Sequence, residues 1–125
     1  MSLPLRWHDD VPADLRRVRD AFGEDAFARV RRVITALPGD PLLGDWLTDQ
    51  AGTGDLSTCR KVKLGPDEIT PEGTNLGPAL RLVYRLLPSN TDAQQVEVLC
   101  VAPRRDLIAY AVAAARLERD RPDAT

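Results

Sequence analysis

Apolar positions in the first third of the chain recur at helical spacing: Leu15, Val18 and Phe22, then Phe27, Val30, Ile34 and Leu37. Such a period lines one face of a helix. Gly23 falls between the two sets, so the pattern predicts two short helices, or one interrupted helix, ending before Pro38 and Gly39. Asp9 and Asp10 precede Val11 and Pro12, as at a helix start, because acidic caps satisfy free amides and proline is tolerated in the first turn. Leu42, Leu43, Trp46 and Leu47 form a short apolar cluster before the Gly52, Thr53, Gly54 turn, expected to be a helical turn covering one end of the core.

The period then changes from helix to strand. Residues 59–64 alternate, with Val62 and Leu64 on one face and Lys61 and Lys63 on the other. Residues 80–87 and 95–102 read as second and third strands, apolar enough to be central. The turn-forming residues at 88–92 suit an antiparallel hairpin. Residues 65–78 hold three prolines and three glycines and are expected to form a long, mobile loop. An alanine-rich helix is predicted over 106–119, with Leu107, Tyr110, Ala111, Ala114 and Leu117 at helical spacing. The tail at 120–125 should fray, and a short strand at 3–7 has room at the sheet edge. These elements predict a single α+β domain over 1–125, with N-terminal helices packed on a small antiparallel meander and a C-terminal helix closing the chain.

Composition narrows the function classes. In 125 residues, 43% are hydrophobic and 29% charged, an ordinary globular balance for one modest core. No apolar run reaches the roughly eighteen residues of a membrane span, and the N-terminus lacks the basic start and apolar stretch of a secretory signal. A cytoplasmic protein without a membrane partner is expected. Cys59 and Cys100 stand too far apart for the paired spacing of a zinc or redox motif and are expected to be buried thiols, so neither a metal nor a cofactor is expected. His8 is the single histidine. Any acid–base chemistry therefore falls to other groups.

The net charge of −2 is not the footprint of a nucleic-acid binder. Its distribution is uneven. Residues 59–91 carry Arg60, Lys61, Lys63, Arg81 and Arg85 against Asp67, Glu68 and Glu72, and Arg104 and Arg105 stand where the third strand ends. Lysines at i and i+2 of a strand project together, and so do arginines at i and i+4. Several cations can thus converge on a phosphate: arginine as a permanently charged fork, lysine as either charge or base. Exposed alternate lysines also commonly do no more than keep a sheet soluble. Tyr110 has the same two readings, a ring that stacks on a base or a core residue with a wet hydroxyl. Arginines at 16, 17, 19, 29, 31 and 32 lie mostly off the apolar stripe, as on a solvated helix face.

The order Cys59-Arg-Lys-Val-Lys-Leu64, Leu80-Arg-Leu-Val-Tyr-Arg85, Val96-Glu-Val-Leu-Cys-Val-Ala-Pro-Arg104 and Ala109-Tyr110 resembles the RelE branch of the RelE/ParE toxins. The resemblance covers residues 55–117. It implies a toxin of a type II toxin–antitoxin pair that cuts messenger RNA on the ribosome without a metal, and a cognate antitoxin as partner. It further implies that Lys61, Lys63, Arg81, Arg104 and Tyr110 form the cutting site; beside these, the neighbouring cations Arg60, Arg85 and Arg105 are expected to bind substrate. Lys61 or Lys63 would accept the proton of the 2′-hydroxyl, Arg81 and the other lysine would stabilise the developing charge, and Arg104 would face the leaving group. The alternatives are the ParE branch, which shares the fold and poisons DNA gyrase, and a non-catalytic interaction domain whose cations are a solvated face.

Overall fold

The computed structural model describes residues 2–47, 56 and 58–120; the expected turn at 52–54 and the tail beyond 120 lie outside them. Strand β1 (Leu5–Trp7) is followed by helices α1 (Val11–Phe22) and α2 (Glu24–Ala36) and a 3-10 turn at Leu37–Gly39. Then come β2 (Asp45–Trp46), β3 (Cys59–Ile69), β4 (Asn75–Pro88), β5 (Ala93–Pro103), a 3-10 turn at Arg105–Leu107 and α3 (Ile108–Asp120). The sheet order is β1-β5-β4-β3-β2.

The helix break falls at Gly23, held at φ 94° and ψ 174°, a region essentially reserved for glycine. Pro12 occupies the first turn of α1, and the buried residues Val11, Asp14 and Val18 face inward. In α2 the buried positions are Ala26, Val30 and Ile34, a spacing of four that matches the helical period. Phe27 is only half-buried and instead lies under the guanidinium groups of Arg19 and Arg31, 5.2 and 5.7 Å from the ring centre. The arginines at 16, 17, 19, 29, 31 and 32 are all exposed.

Alternation along the strands divides the interior into two cores. Leu64, Leu80, Leu82, Tyr84, Leu86, Val96, Val98 and Val101 pack with α1 and α2 on one face of the sheet. Cys59, Val83, Leu99, Cys100 and Ala102 pack with Ala109, Tyr110 and Ala113 of α3 on the other. In β5 the inward positions change from even to odd after Val98. The cause is a bulge, because Val83 pairs with Cys100 while its neighbour Tyr84 pairs with Val98, leaving Leu99 as the extra residue.

A buried ion pair ties the two faces together. Arg116 of α3 donates from Nη1 and Nη2 to the Asp14 carboxylate of α1, at 2.5 and 2.8 Å, and from Nη1 to the carbonyl of Leu99, at 2.8 Å. Asp14 also accepts the backbone N–H of Val101 at 3.0 Å. The amide and carbonyl beside the bulge are thus satisfied by one acid and one base from opposite layers. Burial opposes the charge on Arg116, and the bonds to Asp14 more than offset it, raising its pKa.

Three expectations need correction: the loop at 65–78, the helical turn at 42–47 and part of the α3 stripe. Residues 65–78 are mainly the outer part of the β3–β4 hairpin, with Asp67 opposite Pro78 and Ile69 opposite Asn75, around a turn closed by Thr70 and Thr74. Proline and glycine are tolerated there because the register is irregular. The cluster from Leu42 to Leu47 is no helical turn: Asp45 and Trp46 pair with β3, Leu42, Leu43 and Trp46 are exposed, and only Leu47 is buried. The expected antiparallel meander is β3-β4-β5, and the expected edge strand, β1, joins it parallel to β5, which makes the whole sheet mixed. The inward side of α3 is Ala109, Tyr110, Ala113 and Arg116 with Ala114 and Leu117 packed partly buried beside them, whereas Leu107 and Ala111 are exposed.

Candidate active site

Lys61 pairs with Val83, and Lys63 pairs with Arg81. Val83 belongs to the core beneath α3, so Lys61, Lys63, Arg81 and Arg85 project from that same face of the sheet. Tyr110, the third residue of α3, is buried over it, with the Lys61 Nζ 5.8 Å from the ring centre. Lys63 is exposed and has no ion-pair or hydrogen-bond partner among the described residues. Arg81 is nearly buried, and its Nη1 donates to the carbonyls of Pro78 and Leu80, each at 2.9 Å. Those two bonds fix the fork beside Lys63.

The lysine and arginine are set directly opposite one another. Like charges in that position destabilise a sheet. A bound phosphate would remove that cost.

Arg104 follows β5, and its backbone N–H donates to the carbonyl of Ala79 at 2.9 Å. Its guanidinium lies 3.6 Å from a Glu68 oxygen, and its Nε is buried without a partner among the described residues. Arg105 is exposed and donates to the other Glu68 oxygen. The hydrogen bond from Arg105, helped by the charges of Arg105 and Arg104, holds the Glu68 carboxyl below its ordinary 4.5 despite some burial.

Two further cations stand apart. Arg85 shares the site's face but is held by Glu97, at 2.6 Å, and Glu97 also takes Arg6 at 3.2 Å. Arg60 points to the opposite face, where it donates to the Gly44 carbonyl at 2.7 Å and to Asn90 at 3.0 Å and lies over the Trp46 ring at 4.9 Å. Alternation with Lys61 requires this. The structure therefore brings together Lys61, Lys63, Arg81 and Tyr110, places Arg104 and Arg105 at the end of β5 with Glu68, and leaves Arg60 outside.

Both cysteines are buried in the core beneath the site. Burial pushes the Cys100 thiol up to about 12, which keeps it protonated and a poor nucleophile. Among the described residues no group of three or more His, Cys, Asp or Glu is placed to hold a metal. No described helix is long and apolar enough to cross a membrane.

Sequence reasoning did not single out Glu68, Glu97, Asp14 or Arg116. Glu68 lay in a stretch read as loop. The Asp14–Arg116 pair is separated by most of the chain, so no local pattern joins the two residues.

By fold the chain is similar to the Escherichia coli toxin RelE, solved in the free state as a double arginine-to-alanine mutant. The TM-score is 0.57 at 19% sequence identity, covering 94% of this chain and 99% of that one. It is similar also to a chain of the RelBE2 toxin–antitoxin complex from Mycobacterium tuberculosis, with a TM-score of 0.54 at 19% identity, over 83% of this chain and 100% of that one. Neither a family model nor a curated protein sequence matches the chain. At this identity the likeness establishes the fold.

Proposed function

We propose that this chain, which has the fold of RelE toxins, is the toxin of a toxin–antitoxin pair and cuts messenger RNA on the ribosome. The observation that carries this reading is Lys63 directly opposite Arg81, with Lys61 two residues away under Tyr110. Three cations and one aromatic ring on one face are what a phosphodiester and its neighbouring base call for.

RNA supplies the nucleophile. The 2′-oxygen forms a bond to phosphorus while the bond from phosphorus to the 5′-oxygen breaks, leaving a 2′,3′-cyclic phosphate and a 5′-hydroxyl. Lys63, exposed and without a partner among the described residues, takes the proton from the 2′-hydroxyl as its free amine and becomes the ammonium. Arg81, its fork fixed by two carbonyls, and Lys61 face the charge on the pentavalent phosphate. Tyr110 orients the base or sugar. Arg104 stands at the leaving 5′-oxygen, which is reprotonated from solvent or from the lysine that took the proton, so the step balances without a metal. Ribosome-held message would arrive already aligned, supplying orientation that a protein of this size lacks surface to impose.

A cognate antitoxin is the proposed partner, a reading supported by the fold likeness to a chain solved within a toxin–antitoxin complex. The competing ParE-like reading needs no cations on this face, and the opposed Lys63 and Arg81 would then be an uncompensated cost.

Primer extension on a defined message in a translating extract tests the proposal. Wild-type protein should give cuts only when ribosomes are engaged, and Lys63→Ala and Arg81→Ala should each lower the cutting rate by about 10²–10³-fold, the usual effect of losing one group that meets transition-state charge. Growth inhibition without cuts would move the function to gyrase or another bound target.

A further inference from the structure

We propose that Glu68 is an internal anion seated in the phosphate position of Arg104 and Arg105, and that a nucleic-acid phosphodiester binds there by displacing it. This deepens the nucleic-acid reading above and rests on it.

Three observations carry the inference. First, the two oxygens of one carboxylate are divided between the two arginines, Oε1 with Arg104 and Oε2 with Arg105. A phosphate bridging neighbouring arginines uses the same two-oxygen arrangement. Second, the chain departs from a regular strand to bring Glu68 there. Leu64 pairs with Leu80 and Asp67 with Pro78, so three steps along β3 match two along β4. That extra residue reverses the alternation, and Glu68 consequently joins the face of Lys63 and Arg81; a uniform strand would turn it away. Third, the pairing is incomplete. Arg104, at 29% side-chain exposure, keeps a buried Nε without a partner among the described residues, so a carboxylate with two oxygens leaves unmet a donor that a phosphate, with more acceptors, has the capacity to satisfy.

A cleft lined by Pro66, Asp67, Glu68, Ala79, Pro103 and Arg105 opens beside the carboxylate, giving it somewhere to move. Because Arg105 and Arg104 hold Glu68 ionised below the usual carboxylate range, protonation does not release it near neutral pH. Only a competing anion does. The row of cations thus runs from Lys61 past Lys63 and Arg81 to a terminal subsite that is closed in the free protein and opens for a polyanion.

The test uses the full chain and a fluorescein-labelled single-stranded oligonucleotide made entirely of 2′-deoxynucleotides, which attack from a 2′-hydroxyl cannot cut. Anisotropy titrations over a series of salt concentrations compare wild type, Glu68→Gln, and both in an Arg104→Ala/Arg105→Ala background. Glu68→Gln should bind tighter at low salt, and its slope of log affinity against log salt should steepen by about 0.7 for each phosphate newly contacted. In the double-alanine background the substitution should change neither. Equal affinity and slope for wild type and Glu68→Gln would overturn the proposal, as would a gain that persists without the two arginines or no binding by either protein. Glu68→Ala serves as a second probe, with thermal melts confirming that each variant folds. Because binding is read without cleavage, a gain here alongside an absence of message cutting would sink the nuclease reading and leave the subsite standing.

Discussion

Replacing Arg116 by methionine should unfold the protein far more readily than its place near the end of the last helix suggests. The side chains of Arg116 and Asp14 are 5% and 2% exposed, so water screens neither. Methionine retains much of the arginine's apolar bulk but removes both bonds to the Asp14 carboxylate and the donor to Leu99. Asp14 keeps the Val101 amide and Arg17, the latter 68% exposed and therefore a weak substitute. Removing one member of a buried pair typically costs about 3–5 kcal/mol. The retained amide places the expected loss near the lower end, about 3 kcal/mol, or on the order of 10 °C in Tm for a domain of this size. Urea unfolding followed by circular dichroism measures it. The companion variant sharpens the argument: Asp14→Asn/Arg116→Met removes the stranded charge while keeping an acceptor for Val101, and should recover about 1–2 kcal/mol relative to Arg116→Met alone. A loss below about 1 kcal/mol in the single variant, or a double variant no better than the single, would refute the claim that this pair holds α3 to the sheet.

Other consequences can be checked separately. A β-carbon at Gly44 would come within 2.7 Å of both the Lys61 carbonyl and the Tyr84 ring, and backbone cannot yield as a flexible side chain does. Gly44→Ala should therefore cost about 1–3 kcal/mol by urea unfolding, and a neutral result would refute the close approach. The Cys100 thiol, raised from 9.0 to about 12 by burial, stays protonated in the folded chain at pH values where the unfolded chain ionises. Stability should accordingly fall as pH rises above 9.0, by roughly 1 kcal/mol near pH 10, and this component should be missing from Cys100→Ala. Iodoacetamide should label neither buried cysteine in native protein and both after denaturation. Glu68 acts in the opposite sense: its carboxyl pKa is lowered, so its pairing with Arg105 and Arg104 is fully present above 4.5 and lost as pH falls through the depressed value. Acid titration of Glu68→Gln should lack that step; an unchanged acid limb would contradict it.

Much of the fold was legible because the apolar period is strong where the core is. Val30 and Ile34 mark the inner side of α2, and the alternation of Val62 and Leu64 with Lys61 and Lys63 assigned the faces of β3 correctly. What escaped were features governed by distant partners. Leu43 and Trp46 read as part of a helical turn covering the core, yet the short β2 pairs its backbone with the edge of β3, and both side chains are exposed. Pro66, Pro71 and Pro78 read as loop, while the irregular register absorbs Pro66 and Pro78 within the hairpin strands. In α3, Tyr110, Ala114 and Leu117 pack inward as their spacing predicts, whereas Leu107 belongs to a 3-10 turn at φ 58° and the helix begins only after it. The candidate site followed the same rule. Strand parity puts Lys61 and Lys63 on one face and turns Arg60 to the other, the β3–β4 register then sets Arg81 opposite Lys63, and Glu68 arrives through a bulge that no local pattern announces.

On the proposed function, this cationic face makes RNA cut itself through its own 2′-hydroxyl. Purified ribosomes programmed with either an all-ribose message or one carrying 2′-deoxynucleotides across the position cut in the first provide the direct test. Cutting of the all-ribose message to 2′,3′-cyclic phosphate and 5′-hydroxyl ends, with the substituted message left intact, is the predicted result. Equal cutting of both, or of neither by protein that still arrests growth, would contradict it.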